Sequence, residues 1–400
     1  MKNIWFINEY DLPPEFSKFR RRYDMSKYLL KKKKYNIHIL CGSFIHGTEN
    51  QYAYKEKYQK NIEYQGVHVH ILKGVAYNSI LKRVISMTLF GLKVAFFKFS
   101  KEERPDVIFS SSPHLFAALG AFILAKRNKA KFILEVRDLW PETWVQMGII
   151  KQKGIIHRFF LLIEKFLYIH ANKIIFLGSR FDYFLNLGIS KDKLEYISNG
   201  VDLEEFDKKT SLMIPLNKNK FNITYTGAMG KANNLDIILD LAKLVQKEKI
   251  QFHLIGYGPF KSFLEKRVLE ENINNILFHN PINKNMVPEV LRNSDALIMA
   301  VLDIDLYKNG VSFNKLFEYW AASKPILFYG RITPDYIHET QSGMVGKNIE
   351  DFKEGCIKLY NMSESERKML GDNGRRYVEE NFSWEKLADK VDVILNEVLK

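Results

Sequence analysis

The chain has 400 residues, too many for one typical hydrophobic core, so two domains are expected. Apolar residues make up 46% and charged residues 26%, which excludes a disordered chain. Two distant cysteines, Cys41 and Cys356, exclude a disulfide scaffold or thiolate metal site and fit a reducing cytoplasm. The net charge of +14 is uneven, because residues 1–110 hold 20 Lys or Arg against 10 Asp or Glu. That excess predicts an anionic partner for the first quarter: nucleic acid, membrane or a phosphate-bearing substrate.

No signal peptide is expected, since Met1-Lys2-Asn3 leads straight into a strand-like run. Ile4 to Ile7 reads as a buried parallel strand, and the acid- and proline-bearing loop after it lacks the glycine fingerprint of a dinucleotide site. A basic helix is predicted from near Glu15 through Arg20, Arg21 and Arg22 to the block Lys31 to Lys34, followed by a strand at Ile37 to Cys41. Residues 47–66 read as a polar surface excursion and Val67 to Ile71 as a strand. Residues 79–99 read as a long helix, too interrupted by Lys82, Arg83, Lys93 and Lys98 to span a membrane. Strands at 107–110, 132–136, 173–177 and 195–197 alternate with helices at 115–125, 155–168 and 180–187.

The polar segment 207–220 breaks the rhythm and reads as a linker between an N-terminal domain, 1–206, and a second domain, 221–380. In the second, strands at 221–227, 251–255, 276–278, 296–299 and 326–329 alternate with helices, and Met344-Val345 reads as a short strand. Helical segments at 351–380 and 383–400 close the chain. Alternating α and β elements predict two parallel sheets with ligand groups at their strand C-termini, facing a central cleft.

The stretch Gly310 to Pro325, GVSFNKLFEYWAASKP, gives a glycine turn with a hydroxyl at Ser312, then a helix from Asn314. Its apolar run holds one carboxylate, Glu318, which is unfavourable unless it is paired or faces a polar ligand. A free helix N-terminus after such a turn suits phosphate. Thr226 to Asn234 follows the second domain's first strand, where Gly227 lets the backbone approach a ligand and Lys231 offers a charge for phosphate. A surface lysine in an ordinary loop explains the same residues. Tyr257 and Gly258 mark a turn that either borders a base or covers a helix. Asn199-Gly200-Val201-Asp202 is at least a turn. In the first domain Arg137, Asp138 and Glu142 crowd a strand end beside Trp140, and His114 ends the neighbouring strand. Asp138 and His114 are candidates to position a hydroxyl, and Arg137 to hold an anion; internal pairing is the plainer explanation. No metal set is expected: Asp303-Ile304-Asp305 lacks a third ligand of known spacing, and no nucleic-acid module is present.

ISNGVD at 197–202, YTGAMGKANNL at 225–235, Gly256 to Pro259 and 310–325, in that order, make the chain resemble a retaining glycosyltransferase of family 4, with the GT-B fold of two Rossmann-like domains. RDLWPE at 137–142, Pro13-Pro14-Glu15 and NKLFE at 314–318 make it most similar to the WbuB-like branch, L-fucosamine transferases of surface-polysaccharide assembly. The resemblance implies a UDP-sugar donor held by the second domain, with Glu318 on the ribose. Gly227, Lys231, Tyr257, Gly258, Ser312, Asn314, Lys315 and Leu316 are the implied donor contacts. It also implies metal-independent transfer of an N-acetylated amino or deoxyamino sugar with retention, no cofactor, and catalytic roles for Asp138, His114 and Lys231. A final helix, 381–400, returns to the first domain. The family's first motif glutamate is replaced by Gly310, and its phosphate-binding arginine is absent near Ala228.

The basic first domain implies a polyprenyl-pyrophosphate-linked saccharide acceptor and an anionic membrane surface, in a cytoplasmic protein held peripherally at the inner face of the cell membrane. Glu15, Arg20, Arg21, Arg22 and Arg137 are the expected acceptor or membrane contacts, with residues 79–99 beside them. Two other classes stay open: an enzyme like UDP-N-acetylglucosamine epimerase, which would alter its donor with no acceptor present, and a non-catalytic nucleotide-sugar-binding scaffold, which would bind donor and form no product.

Overall fold

The computed structural model describes residues 1–17, 20–44, 59–75, 77, 79–112, 114–146, 148–211, 214–303, 307 and 310–400. The chain forms two compact units, one of Met1–Ser198 with Leu387–Lys400 and one of Asn199–Lys386. The first contains β1 (Lys2–Ile7), α1 (Arg21–Lys31), β2 (Tyr35–Gly42), β3 (Gln59–Tyr64), β4 (Val67–Leu72), α2 (Ile80–Ala95), β5 (Val107–Ser111), α3 (Leu115–Asn128), β6 (Lys131–Val136), α4 (Glu142–Gln146), α5 (Ile155–His170), β7 (Lys173–Phe176), α6 (Asp182–Asn186) and β8 (Leu194–Tyr196). The second contains α7 (Leu203–Phe206), β9 (Phe221–Ala228), α8 (Asp236–Leu244), β10 (Ile250–Tyr257), α9 (Lys261–Glu270), β11 (Ile276–His279), α10 (Val287–Asn293), β12 (Ala296–Ala300), α11 (Asn314–Ala321), β13 (Ile326–Tyr329), α12 (Tyr336–Glu339), β14 (Gly343–Gly346), α13 (Ile349–Asn361) and α14 (Glu364–Asn381). Helix α15 (Trp384–Leu399) follows, and from Leu387 it belongs to the first unit.

The first sheet has the order β3-β4-β2-β1-β5-β6-β7-β8 and the second β11-β10-β9-β12-β13-β14. Every pairing is parallel except β3 with β4. In the first sheet β1 lies between β2 and β5, so the chain moves outward in opposite directions from that point. In the second, β9 lies between β10 and β12. Loops leaving the C-terminal ends at such a reversal diverge and leave room for a ligand.

Residues of β1 alternate between the two faces of the first sheet. Trp5 and Ile7 join the core under α2, α3 and α5, with Phe90, Leu124, Phe160 and Leu167. Phe6 faces the other way, where the Arg22 guanidinium of α1 lies 4.9 Å from its ring and 4.4 Å from that of Phe109. The topology requires this division, because right-handed crossovers running out along the sheet in one direction put their helices on one face. Helices α2 and α3 touch backbone to backbone: a Cβ added to Gly120 would lie 2.1 Å from the Gly91 carbonyl oxygen.

Several expectations are corrected. Residues 59–64 are a strand, β3, not part of a surface excursion, and Gln65 and Gly66 form the turn into β4; residues 47–58 of that stretch lie outside the described residues. Helix α1 starts at Arg21 rather than near Glu15, because Pro13 and Pro14 hold the preceding chain in turns. The helix expected over 351–380 is two, divided at Ser363, whose hydroxyl caps α14 in a reciprocal box with Glu366. Arg21 and Arg22 are not surface groups. Both are buried against Glu135 of β6, Arg21 Nη2 at 2.8 Å and Arg22 Nη2 at 2.7 Å, and Ser111 donates to the same carboxylate at 2.7 Å. Neither can touch lipid headgroups. Arg20 stays partly exposed beside Asp24 at 3.4 Å. Of the lysine block, Lys32 and Lys34 pair with Asp389 and Asp392 of α15; Lys18 lies outside the described residues. The basic helix and residues 79–99, expected to share one interfacial surface, lie on opposite faces of the sheet.

Burial alone would raise the Glu135 pKa, but Arg21, Arg22 and Arg137 outweigh it and hold the carboxyl at about 2, below its ordinary 4.5. The folded value is the lower one, so this stabilisation is present above pH 4.5 and is lost as pH falls toward 2. Glu135→Gln leaves two guanidinium groups buried without their counterion. It is expected to lower the unfolding free energy by about 3–5 kcal/mol in urea titrations at pH 7, and by less below pH 3.

Candidate active site

The second unit gathers its polar groups where β9 and β12 part. Strand β9 ends at Gly227 and Ala228, and α11 begins at Asn314 with no side chain of the described residues capping its N-terminus. Lys315, in the first turn of α11, leans back over β9. Its Nζ lies 3.9 Å from the Tyr225 ring centroid and 3.2 Å from Asn233 Oδ1. Gly227, at φ +138°, leaves the space for it: a Cβ there would lie 2.9 Å from Lys315 Cε. Burial pushes the amine down to about 7 from an ordinary 10.5, with Glu318 opposing. Glu318, one turn further along α11, keeps 26% of its side chain exposed, and its closest cation is Lys284 at 3.9 Å. Burial raises its pKa, and Lys284 and Lys315 oppose. An under-paired cation and an under-paired carboxylate thus stand one helical turn apart beside a free helix N-terminus, an arrangement able to take a phosphate and a hydroxyl.

Other expected contacts divide. Asn314 is exposed at the helix start, and Lys231 is exposed after β9. Tyr257 is half exposed at the end of β10, beside Gly258. Leu316 is a correction: its side chain is buried and its N–H donates to the Phe313 carbonyl at 3.0 Å, so it has nothing to offer a ligand. The Ser312 hydroxyl accepts from the Asn199 N–H at 2.7 Å, which ties the Asn-Gly turn to the glycine turn. Asp202 caps α7. Asp303 forms an exposed pair with Arg331 at 3.2 Å, and Asp305 lies outside the described residues.

In the first unit the corresponding place is the parting of β1 and β5. His114 caps α3, its Nδ1 accepting from the Ala117 N–H at 3.2 Å, so its ring proton is assigned to Nε2. Nε2 lies 2.9 Å from Glu9 Oε2 but out of hydrogen-bond line, leaving both buried atoms without a hydrogen-bond partner among the described residues. Asp11 accepts from Asn8 at 2.8 Å through one oxygen. Its pKa is raised by burial, with Arg22 and Arg137 opposing. Asp138 and Glu15 are exposed, and Arg137 is partly buried at the end of β6. Glu9 and Asp11 were not singled out from sequence, although their place directly after the first strand was the available signal. Among the described residues one group could offer three metal ligands, His38, His70 and Glu103. Its histidines sit in mid-strand and Glu103 in the turn before β5, with His38 Nδ1 at 3.2 Å from His70 Nε2 and His70 Nδ1 at 3.1 Å from Asn61 Oδ1.

Two family models match the chain: Glycosyltransferase Family 4 over residues 20–205 and Glycosyl transferases group 1 over residues 208–377. The chain belongs to the glycosyltransferases of the GT-B fold. A probable glycosyltransferase of Pseudomonas aeruginosa, WbjE, is 24% identical to this glycosyltransferase over 253 residues, 62% of each chain. An uncharacterized glycosyltransferase of Methanocaldococcus jannaschii is 23% identical over 381 residues, 91% of this chain and 90% of that one. Among solved structures, HepE of Anabaena, in complex with UDP and glucose, superposes with a TM-score of 0.66 at 13% identity, covering 99% of this chain and 100% of that one. The two parallel sheets are therefore those of the GT-B fold.

Because burial disfavours the charged amine, Lys315 contributes more to stability as pH rises from 7 toward 10.5, where the unfolded chain still binds the proton. Lys315→Met removes this dependence. Relative to the variant, the wild-type protein is expected to gain about 2–3 kcal/mol between pH 6 and 9, measured by urea denaturation of both proteins at each pH.

Proposed function

We propose that this glycosyltransferase moves a sugar from a UDP-sugar to a polyprenyl-pyrophosphate-linked saccharide, with retention, in surface-polysaccharide assembly at the cytoplasmic face of the membrane. The donor sugar is an N-acetylated amino or deoxyamino sugar, as in the WbuB-like branch. The observation that carries the reading is the buried Lys315 amine at the parting of β9 and β12, beside Glu318 and the open N-terminus of α11. HepE, of the same fold, is a protein in complex with UDP.

On this reading the β-phosphate sits against Lys315, with Lys231 as the second cation in place of the missing arginine, and Glu318 accepts from the ribose. Tyr257 borders the base. Ser312 and the N–H groups of Val311 to Asn314 take over the role of the glutamate replaced by Gly310. The acceptor oxygen bonds to the anomeric carbon as the bond from that carbon to the diphosphate oxygen breaks, and the hydroxyl proton passes to the leaving diphosphate. Lys315, Lys231 and the helix N-terminus stabilise the charge that develops there, so the step asks for no metal. His114, with Glu9 behind it, and Asp138 position the acceptor hydroxyl, and Arg137 holds its anion.

Calorimetry against UDP and a panel of UDP-sugars tests the donor half. UDP is expected to bind, and Glu318→Ala to weaken it at least about tenfold through loss of charge-assisted hydrogen bonds. A folded protein that binds no nucleotide would sink the reading. With donor and a lipid-linked acceptor, the product anomer should match the donor's by NMR; conversion of the sugar with donor alone would identify an epimerase instead.

A further inference from the structure

The helices α2, α3 and α5 cover one face of the first sheet, and their outward side is apolar. On α5 the residues Ile155, Phe159, Leu162, Phe166 and Ile169 recur at helical spacing along the side away from the sheet. All are exposed, Ile155 at 89% and Leu162 at 70%. The opposite stripe, with Phe160, Leu167 and Tyr168, is buried in the core. A helix that is apolar on both sides has one side more than its own domain uses. Beside it, α3 exposes Ile123, and α2 exposes Ile85, Leu89 and Leu92, with exposed Phe96 directly after it. The three helices are neighbours: Gly91 and Gly120 join α2 to α3, and Phe122 of α3 packs on Phe166 of α5 at 5.2 Å between ring centroids.

The charges on these helices are of one sign. Lys82, Arg83 and Lys93 on α2, Lys126 and Arg127 on α3, and Arg158 and Lys165 on α5 are exposed. Neither α2 nor α3 contains a carboxylate. The single one in α5, Glu164, is turned inward and fully buried, accepting from Tyr168 and Tyr183 at 2.7 Å each. Burial raises its pKa to about 8, against the two tyrosines, so it is mostly uncharged at neutral pH. None of the three helices is long and apolar enough to cross a membrane. A face of about 24 Å by 20 Å, from the rise of a 16-residue helix and the usual spacing of packed helices, matches the largest apolar patch of a typical monomer, the kind that is often functional.

We propose that the α2–α3–α5 face lies in the interface of an anionic lipid bilayer, with α5 as its principal anchor. The α5 stripe enters the acyl boundary, and the surrounding lysines and arginines extend to the anionic headgroups. This deepens the membrane part of the function proposed above and replaces the surface read from the sequence: the lipid side is the face opposite α1, not the basic helix. The absence of exposed carboxylates on these helices is what favours lipid over a protein partner, which would need no such exclusion.

Co-sedimentation with vesicles tests it without donor or acceptor, so its outcome is independent of the transferase reading. The wild-type protein is expected to pellet with phosphatidylglycerol–phosphatidylcholine vesicles, less with pure phosphatidylcholine, and less again at high salt. Leu162→Glu is expected to lower the partition constant about tenfold or more, and Phe159→Ser to lower it less. Arg158→Glu with Lys165→Glu should remove the preference for the anionic lipid. Unchanged melting temperatures and UDP affinity establish that the variants are folded. No pelleting of the wild-type protein, or equal partition of wild type and Leu162→Glu, overturns the proposal. So does a dimer in light scattering that Leu162→Glu dissociates, with no vesicle binding, because the face then belongs to a second copy of the chain.

Discussion

A charge removed from water must find a partner, and the two units meet that requirement in opposite ways. In the first, Glu135 meets Arg21, Arg22 and the Ser111 hydroxyl, and the group is closed. It fastens α1 to β6 across β1 and β5, close to the strand ends from which the β5 and β6 loops emerge. In the second, among the described residues, Lys315 meets a ring face and one amide oxygen, with Glu318 one turn away, and Glu318 pairs with a lysine at 3.9 Å. Groups held apart from water with their pairing incomplete are those a ligand can complete. The same contrast separates Glu9 and His114, short of partners, from the buried guanidinium groups a few residues away.

This contrast also marks what the sequence could tell. Alternation of apolar runs and helical stretches located most of the strands, because a parallel strand buried on both faces has a compact signature, as in ALIMA of β12 and ILFY of β13. The loop and helix from Gly310 to Ala321 were legible as a ligand site because a carboxylate interrupts an apolar run. Strand β3 was not legible, since its residues Gln59 to Tyr64 are mostly polar and it depends on pairing with β4. Nor was the role of Arg20, Arg21 and Arg22. Three consecutive arginines look alike in sequence, yet helical geometry turns two of them onto the sheet and leaves one partly exposed. Whether a charge is a surface group or a core strut depends on what lies across the sheet, 114 and 113 residues away in Glu135.

Sidedness is harder to read from composition. The first quarter of the chain has an excess of positive charge, and this pointed to the basic helix as the lipid side. The crossover rule separates that helix from α2, α3 and α5, and the acids of α15 neutralise part of its lysine block. The outward stripe of α5 is visible in the sequence as a helix with too many apolar residues for one face. Its meaning required knowing which stripe was already buried.

The first sheet has one further property at its margin. A parallel sheet left open presents unpaired backbone groups to any other extended chain. Here one margin is β8, only three residues long, and the other is β3, which runs against the direction of every other strand and carries Lys60, Asn61 and Glu63 among its six residues. A second molecule seeking to extend the sheet would have to match an antiparallel, charged border at one side and a stub at the other. The polar stretch that obscured β3 in the sequence thus serves as protection against edge-to-edge aggregation, wherever copies of the chain crowd together.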